Sequence, residues 1–332
     1  MKKQYSPYGK YMWDTWFAID SDGTYHAFYL ESDIGDTRYA TPSIGHAKSK
    51  DLKNWEQLDT VLEPGNEGDW DDLALWTGSV FKHKDKWYMF YTGRNKRDQW
   101  QQAIGLAISD DLYHWQKVPG PVLEPGDSRY SPQTDFNEID NPPAWRDPFI
   151  FYDDVTEKFH MFFTARVNNG NTSFNGCIGR ATSDDLLRWQ TEEPVIVNEG
   201  FDEMEVPQML YIKNRYYLLF SYRKSHELKN KPKLSSGLYC FVSNEIGGGY
   251  RPIKGWYGQI MKYGNKYYGM RLIKQKSNKH HFAIGWHHLK RGKFVGKMTD
   301  VYTVRLEPHA FSITDFSINI VDTFKKITQP KK

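Results

Sequence analysis

The chain has little of several features that mark whole classes of protein. Its 332 residues include only two cysteines, Cys177 and Cys240, which excludes a disulfide framework and predicts two free, partly buried thiols. No apolar run approaches the roughly 18 residues that cross a membrane. The first residues carry positive charge but lack the apolar stretch of a secretory signal. We therefore expect a cytoplasmic protein with no membrane partner.

An excess of charge of one sign is also missing. The formal net charge is +3, from 44 Lys and Arg against 41 Asp and Glu. No basic run of the kind that follows a phosphate backbone is present, and the lysines of segment 325–332 are interpreted as a solvated terminus. The sequence therefore predicts no nucleic-acid partner.

Long helical periodicity is a further absence, and it argues against an α/β barrel and a helical solenoid. Aromatic side chains, in contrast, are abundant at 16%, with 12 Trp, 22 Tyr and 19 Phe. Aromatic residues suit half-buried strands. Their flat rings also cover the apolar face of a sugar while nearby polar groups bind its hydroxyls. The composition therefore favours strands and suits a small-molecule carbohydrate as partner.

Three segments of twelve residues copy one another along the chain. They begin at Ile44, Ile104 and Ile178, and each reads Ile-Gly-x-Ala-x-Ser-x-Asp-Leu-x-x-Trp. Each copy predicts a strand, a turn at Ser-x-Asp-Leu and a second strand that opens at Trp. Two copies place paired acids at this turn, where a structural role is expected rather than catalysis.

A second pattern, of two paired strands, precedes each copy and also recurs later in the chain. A fainter fifth example runs from 257–261 to 266–270. The three copies start 60 and 74 residues apart. Units of four strands that repeat at such intervals indicate propeller blades. We therefore predict an all-β fold, a single five-bladed β-propeller domain over 1–332, in preference to a β-sandwich with chance similarity. The expected four-stranded antiparallel blades are approximately 12–65, 76–126, 145–200, 204–255 and 256–322.

The first strand of each blade is expected to line the central channel, where charged residues are costly unless they bind something. Aligned positions there hold Asp14 in blade 1, Arg146 and Asp147 in blade 3, and Glu205 in blade 4, whereas blade 2 is neutral. Glycoside hydrolysis needs two carboxyl groups that flank the scissile bond. The three carboxylates are therefore the predicted catalytic residues. Asp202 and Glu203 are alternative acids, but the register of Pro207 favours Glu205.

Four motifs in order resemble those of the glycoside hydrolase clan that holds families 32 and 68 and, more distantly, family 43. Trp145-Arg146-Asp147-Pro148 resembles the Arg-Asp-Pro motif of families 32 and 68. Trp76-Thr77-Gly78-Ser79 is similar to their Trp/Phe-Ser-Gly-Ser element. Glu205-Val206-Pro207 resembles their acid/base motif. Trp13-Asp14-Thr15-Trp16 looks like the nucleophile motif of family 68.

This resemblance implies a role for each residue. Asp14 would be the nucleophile, Glu205 the general acid and then base, and Asp147 the group that stabilises the transition state. The remaining expected substrate contacts are Trp13, Trp16, Trp76, Thr77, Arg146 and Gln208. The implied reaction is retaining cleavage of a β-fructofuranoside such as sucrose or a fructo-oligosaccharide, with no cofactor.

Two alternatives stay open at this point. One is an inverting arabinofuranosidase or xylosidase on the same fold, since the family 32 opening Asn-Asp-Pro-Asn is absent and the chain is short for an added β-sandwich domain. The other is a carbohydrate-binding propeller without catalysis. The pairs His280-His281 and His287-His288 are interpreted as strand faces rather than metal ligands, because neighbours on a strand point to opposite sides. No metal site is predicted.

Overall fold

The computed structural model describes residues 4–35, 42–131, 143–168, 175–197, 200–224, 234–253, 256–274, 280–307 and 310–315. Regular structure in these ranges is almost entirely β-strand, with one short 3-10 helix at Trp256–Gly258. The strands form five antiparallel sheets that follow one another along the chain, which confirms the five-bladed β-propeller. Across the described ranges, no helix has the length and apolar character to cross a membrane.

Each of the first three blades is a four-stranded sheet whose strands pair in chain order. Blade 1 contains β1 (Lys10–Ile19), β2 (Tyr25–Asp33), β3 (Ser43–Ser49) and β4 (Glu56–Gln57). Blade 2 contains β5 (Ala74–His83), β6 (Lys86–Arg94), β7 (Gln102–Ser109) and β8 (Gln116–Lys117). Blade 3 contains β9 (Trp145–Asp153), β10 (Lys158–Arg166), β11 (Gly176–Ser183) and β12 (Gln190–Val197).

The last two blades each carry one additional strand. Blade 4 contains β13 (Glu205–Ile212), β14 (Arg215–Tyr222), β15 (Gly237–Ser243), β16 (Arg251–Pro252) and β17 (Gln259–Lys262). Blade 5 contains β18 (Tyr267–Lys274), β19 (His280–Lys290), β20 (Lys293–Met298), β21 (Tyr302–Glu307) and β22 (Ala310–Asp315).

The fifth blade therefore begins later than the repeat predicted. The expected first strand, 257–261, was wrong: β17 pairs with β15 of blade 4, and β18 is the first strand of blade 5. The Gln259 amide explains this placement, because it donates to the Ser235 carbonyl oxygen at 3.0 Å and to the Tyr239 hydroxyl at 3.1 Å. These bonds fix the segment on the edge of blade 4.

The outer corners of blades 1, 2 and 3 form the predicted turn with nearly identical bonds. In blade 2, Asp111 Oδ1 accepts the N–H groups of Tyr113 and His114, each at 2.8 Å. The Trp115 indole donates to the Leu112 carbonyl at 2.9 Å. The equivalent acids and indoles of the other two corners are Asp51, Trp55, Asp185 and Trp189. Each carboxylate thus satisfies the backbone of its own turn.

The corner tryptophans also join neighbouring blades. Trp115 of blade 2 packs edge-to-face on Phe28 of blade 1, with 5.8 Å between the ring centroids. Trp189 of blade 3 packs on Phe90 of blade 2 in the same way, with 5.6 Å between the centroids. Such pairs add to the stabilisation from apolar burial. The two cysteines lie in this packed interior, free and fully buried. On the inner side, the first strands β1, β5, β9, β13 and β18 contact one another in a closed ring.

Candidate active site

All five inner strands carry a β-bulge at the same point of the ring. The pairing register shifts between Trp13 and Thr15, between Trp76 and Gly78, and at the corresponding points of the other three strands. The residues at the bulges of blades 1, 3, 4 and 5 have positive φ: Asp14 (29°), Asp147 (60°), Val206 (56°) and Gly269 (58°). A bulge bends the strand and turns a side chain away from the regular alternation.

The residue that precedes each bulge reaches the central pocket. These five residues are Trp13, Trp76, Arg146, Glu205 and Tyr268, one from each blade. The bulge residues Asp14, Thr77 and Asp147 line the same pocket, whose volume is about 290 Å³. The fold therefore brings together the three carboxyl groups that the sequence singled out, from blades 1, 3 and 4.

The carboxylate of Asp14 is held by neutral donors on both oxygens. Thr77 Oγ1 donates to Oδ2 at 2.7 Å, and Trp286 Nε1 donates to Oδ1 at 2.9 Å. Gly269 leaves room for this arrangement, since a Cβ at its left-handed φ would lie 3.3 Å from Oδ1. Burial raises the pKa of Asp14, the charge of Glu205 adds to the rise, and the two hydrogen bonds oppose it.

Asp147 is almost fully buried at the wall of the pocket. Its Oδ2 accepts the Thr164 hydroxyl at 2.8 Å and the Val206 N–H at 3.1 Å, while its own N–H donates to the Thr92 hydroxyl at 3.0 Å. Burial raises its pKa, against the opposing charge of Arg146. Bonds from blades 2, 3 and 4 therefore set the orientation of this carboxyl group.

Arg146 lies between two glutamates with different electrostatic surroundings. Its Nη2 is 2.9 Å from Oε1 of Glu203 and 2.9 Å from Oε1 of Glu205. Glu203 also pairs with Arg166 at 2.8 Å. Burial acts to raise the pKa of Glu203, but the two arginines outweigh it and the pKa is lowered. Burial raises the pKa of Glu205, with the charges of Glu203 and Asp147 adding to the rise and Arg146 opposing it.

Blade 5 supplies two residues that the sequence reasoning missed. The Tyr268 hydroxyl donates a hydrogen bond to Glu205 Oε2, and Trp286 donates to Asp14 as described. Tyr268 was overlooked because the fifth inner strand was placed too early in the chain. Aligning Tyr268-Gly269 with the bulges of the other blades is the signal that would have found it. Five further residues line the pocket: Leu30, Trp100, Gln102, Pro143 and Arg223.

Two residues expected to bind substrate lie elsewhere. Trp16 is buried in the core, where its ring stacks on Phe28 at 6.4 Å. Gln208 is buried between blades 4 and 5, where its amide donates to the Leu272 carbonyl at 2.6 Å and accepts the Leu272 N–H at 2.8 Å. Neither lines the pocket. Both face away because residues beyond the bulge return to regular alternation along the strand.

No group of three or more His, Cys, Asp or Glu side chains in the described ranges is placed to hold a metal ion. The histidine pairs both lie on β19, as the strand interpretation predicted. Of these, His288 packs edge-to-face on Trp286 at 5.3 Å. The pocket residues themselves offer carboxyl groups, two arginines and aromatic rings.

A family model described as the glycosyl hydrolases family 32 N-terminal domain matches residues 5–299. The chain is 31% identical to an insoluble β-fructofuranosidase isoenzyme of Arabidopsis thaliana over 195 residues, which are 56% of this chain and 31% of that protein. It is 27% identical to sucrose-6-phosphate hydrolase of Bacillus subtilis over 187 residues, which are 55% of this chain and 34% of that protein. The chain thus matches about a third of the length of these relatives.

The fold also matches a solved structure of the inulosucrase from Halalkalicoccus jeotgali bound to kestose. The TM-score is 0.75, and the match covers 94% of this chain and 90% of that chain at 23% sequence identity. At this identity the likeness concerns the propeller fold, in which both chains agree over nearly their whole length.

Proposed function

Because the chain belongs to the glycosyl hydrolases family 32, through its N-terminal domain, we propose that it cleaves β-fructofuranosides by a retaining double displacement. The substrates would be sucrose, its 6-phosphate or fructo-oligosaccharides, which agrees with the names of the relatives. The observation that carries the proposal is the convergence of Asp14, Asp147 and Glu205 on one pocket. A binding protein has no need of a proton donor opposite a nucleophile.

In the first step, a carboxylate oxygen of Asp14 attacks the anomeric carbon while Glu205 protonates the departing glycosidic oxygen. In the second step, Glu205 takes a proton from water, which attacks the same carbon and releases Asp14. Thr77 and Trp286 suit Asp14 to this role, because they orient both oxygens without neutralising the charge. Asp147 and Arg146 lie beside them and would bind the sugar hydroxyls.

The two neighbouring glutamates support the assignment of the acid. Glu203 has a lowered pKa because it lies between two arginines, whereas burial raises the pKa of Glu205. Adjacent groups whose environments push their pKa values apart are a usual basis for separate acid and ion roles. We therefore assign proton transfer to Glu205 and a positioning role to Glu203.

A panel of sucrose, sucrose 6-phosphate, inulin-type oligosaccharides, aryl arabinofuranosides and aryl xylosides tests the proposal. We expect release of fructose from the first three, and NMR of the first-formed product should show the retained anomer. Turnover confined to arabinosides or xylosides, or an inverted first product, would contradict the proposal. Binding without turnover on every glycoside would leave only a sugar-binding propeller.

A further inference from the structure

A second pocket adjoins the active site on blade 2. Its volume is about 310 Å³, at the lower end of the range of about 300–1,000 Å³ for small-molecule sites. It lies between the loop 65–72 that precedes β5 and the connection 95–101 between β6 and β7. Gln102 lines both pockets and is therefore part of the wall that they share.

The indole of Trp70 provides an aromatic surface in this second pocket. Its ring stacks on that of Tyr91, with 5.9 Å between the ring centroids and 25° between the ring planes. The indole also lies close to the sheet, since a Cβ added at Gly93 would be 2.3 Å from its nearest ring carbon. The Tyr91 hydroxyl and Lys117 both bind Asp71, the next residue in the loop, at 3.0 and 2.6 Å. The indole is thus fixed against the blade while part of it stays accessible.

The loop that carries Trp70 is held by its own carboxylates. Asp69 Oδ2 accepts the Asn66 N–H at 2.7 Å, and Asp72 Oδ2 accepts the Gly68 N–H at 2.9 Å. Asp72 Oδ1 also accepts the Lys96 N–H at 2.7 Å, which ties the loop to the connection between β6 and β7. A site that is already ordered loses little entropy when it binds a ligand.

The other side chains of the second pocket are suited to hydroxyl groups. Asn95, Arg97 and Gln101 come from the connection between β6 and β7, Asp69 from the loop before β5, and Glu124 from the segment after β8. An aromatic floor with a few amide, carboxylate and guanidinium groups fits a neutral sugar. Three carboxylates, those of Asp69, Asp72 and Glu124, against one arginine make a phosphorylated sugar a poor fit.

One short connection links the two pockets. Trp100, 48% exposed, lies at the mouth of the active site, while the next residue, Gln101, lines the second pocket. The Arg94 guanidinium holds this arrangement, because it lies 4.2 Å from the ring centroid of Trp76 and 5.5 Å from that of Trp100. It also donates to the Gln99 carbonyl at 2.6 Å. A chain that leaves the active site on this side would pass Trp100 and reach Trp70.

We propose that the second pocket binds neutral sugar units at the leaving-group end of an oligosaccharide whose terminal fructosyl unit occupies the active site. The inference rests on the proposed function and adds to it a preference for chains longer than a disaccharide. Trp100, which lines the active-site pocket and is exposed, marks a side on which the pocket opens to solvent. Further sugar units would extend on this side, where the leaving group departs.

The test compares kcat/KM along a series from sucrose to the inulin-type pentasaccharide. For the unmodified protein we expect kcat/KM to rise about tenfold along the series, the effect of one or two added hydrogen bonds. The double variant Arg97→Ala/Gln101→Ala should lose most of this rise, with the pentasaccharide affected far more than sucrose. The matched control is Lys96→Ala/Gln99→Ala on the same connection, whose side chains line neither pocket and which should keep the rise.

The proposal would be overturned if kcat/KM of the unmodified protein did not change with chain length. It would also be overturned if the rise in kcat/KM persisted in Arg97→Ala/Gln101→Ala. Turnover of sucrose tests the proposed function separately, because the proposal assigns the second pocket only to the sugar units of longer chains. If no fructoside is cleaved, calorimetric titration with the pentasaccharide still tests whether the second pocket binds sugar units. Binding that the Arg97→Ala/Gln101→Ala variant weakens about tenfold supports the site, whereas equal binding by both proteins contradicts it.

Discussion

The outer corners of blades 1, 2 and 3 repeat both backbone and side chains, whereas the inner bulges of the five blades repeat the backbone alone. At the corners, an aspartate bonds the turn and a tryptophan closes it in each of the three blades. At the bulges, the preceding residue is a tryptophan in blades 1 and 2 and differs in blades 3, 4 and 5: Trp13, Trp76, Arg146, Glu205 and Tyr268.

This difference indicates that the outer corners stabilise the fold, whereas the inner bulges carry the chemistry of the site. A corner carboxylate is satisfied by the N–H groups of its own turn, so the same residue serves in each of these three blades. The inner side chains instead converge on one pocket, where side chains of four kinds can act on one ligand. Substitutions at the corners should therefore change unfolding, and substitutions at the bulges should change turnover.

The largest expected effect is that of Asp14→Asn. If Asp14 is the nucleophile, the amide cannot form the glycosyl-enzyme intermediate, and kcat should fall by at least about 10⁴-fold. The melting temperature should not fall, because burial already disfavours the charged carboxylate. Steady-state kinetics and thermal unfolding measure the two effects.

Asp111→Asn is the matched control for this variant, since it makes the same chemical change at an outer corner. It should retain turnover within about twofold, as expected for a residue that does not touch substrate. Full activity in Asp14→Asn would remove that residue from the mechanism and leave the bulge of blade 1 with a structural role only.

Glu205→Gln is expected to have the second-largest effect. Loss of a general acid typically lowers kcat by about 10²–10⁴-fold. The loss should be smaller for an aryl fructofuranoside than for sucrose, because an activated leaving group needs less protonation. Comparison of the two substrates at one pH measures this difference. Equal losses on both would indicate that Glu205 holds the site in shape rather than transferring a proton.

A smaller effect, on stability alone, is expected at the corner of blade 2 for Asp111→Ala. The variant loses the bonds to the turn N–H groups, which should cost about 1 kcal/mol in the free energy of unfolding. Burial acts to raise the pKa of Asp111, but the bonds to His114 and Tyr113 outweigh it and hold the pKa below its usual value. The stabilisation is therefore complete above about pH 4 and is lost as the pH falls below it.

Chemical unfolding at pH 7 and near pH 3 measures this contribution, and the difference from the unmodified protein should shrink at the lower pH. The neighbouring Asp110→Ala is the control, because Asp110 forms an exposed pair with Lys86 at 2.7 Å, a type of pair with little effect. A large loss of kcat in Asp111→Ala would break the distinction between corner and bulge.

The sequence predicted the parts of this comparison that residue identity determines. The corner motif is legible because the turn itself requires Asp and Leu, and the charged residues of the inner strands stand out because charge is rare there. The bulges were not predicted: Asp14, Asp147 and Val206 adopt positive φ without glycine, so nothing in the sequence marks them. Their positions decide that Trp13 reaches the pocket while Trp16 does not.

Contacts across blades were equally hidden from the sequence. Gln208 was placed with the substrate contacts because of its motif, yet its amide is used by Leu272 of a blade that follows much later in the chain. Tyr268 and Trp286 belong to blade 5, whose repeat is the weakest. The role of Glu203 depends on two arginines that only the folded ring brings to it.

The smallest expected effect, that of Glu203→Gln, concerns electrostatics within the bulge region. The charge of Glu203 raises the pKa of Glu205. Its removal also leaves Arg146 free to interact more strongly with Glu205, and both changes lower the pKa of that acid. Because Glu205 must be protonated to act, the basic limb of the kcat/KM profile should move to lower pH.

The profile of kcat/KM against pH measures this shift, and Glu193→Gln is the charge-matched control. Glu193 lies on the exposed outer strand of blade 3, where its nearest cation is Arg129 at 3.5 Å. Glu193→Gln also removes one negative charge, but far from Glu205. The basic limb of its kcat/KM profile should therefore stay at the same pH as in the unmodified protein. A purely structural Glu203 would lower activity at every pH without moving the limb. Loss of the basic limb together with a fall in kcat of about 10²–10⁴-fold would mean that Glu203, and not Glu205, carries the proton.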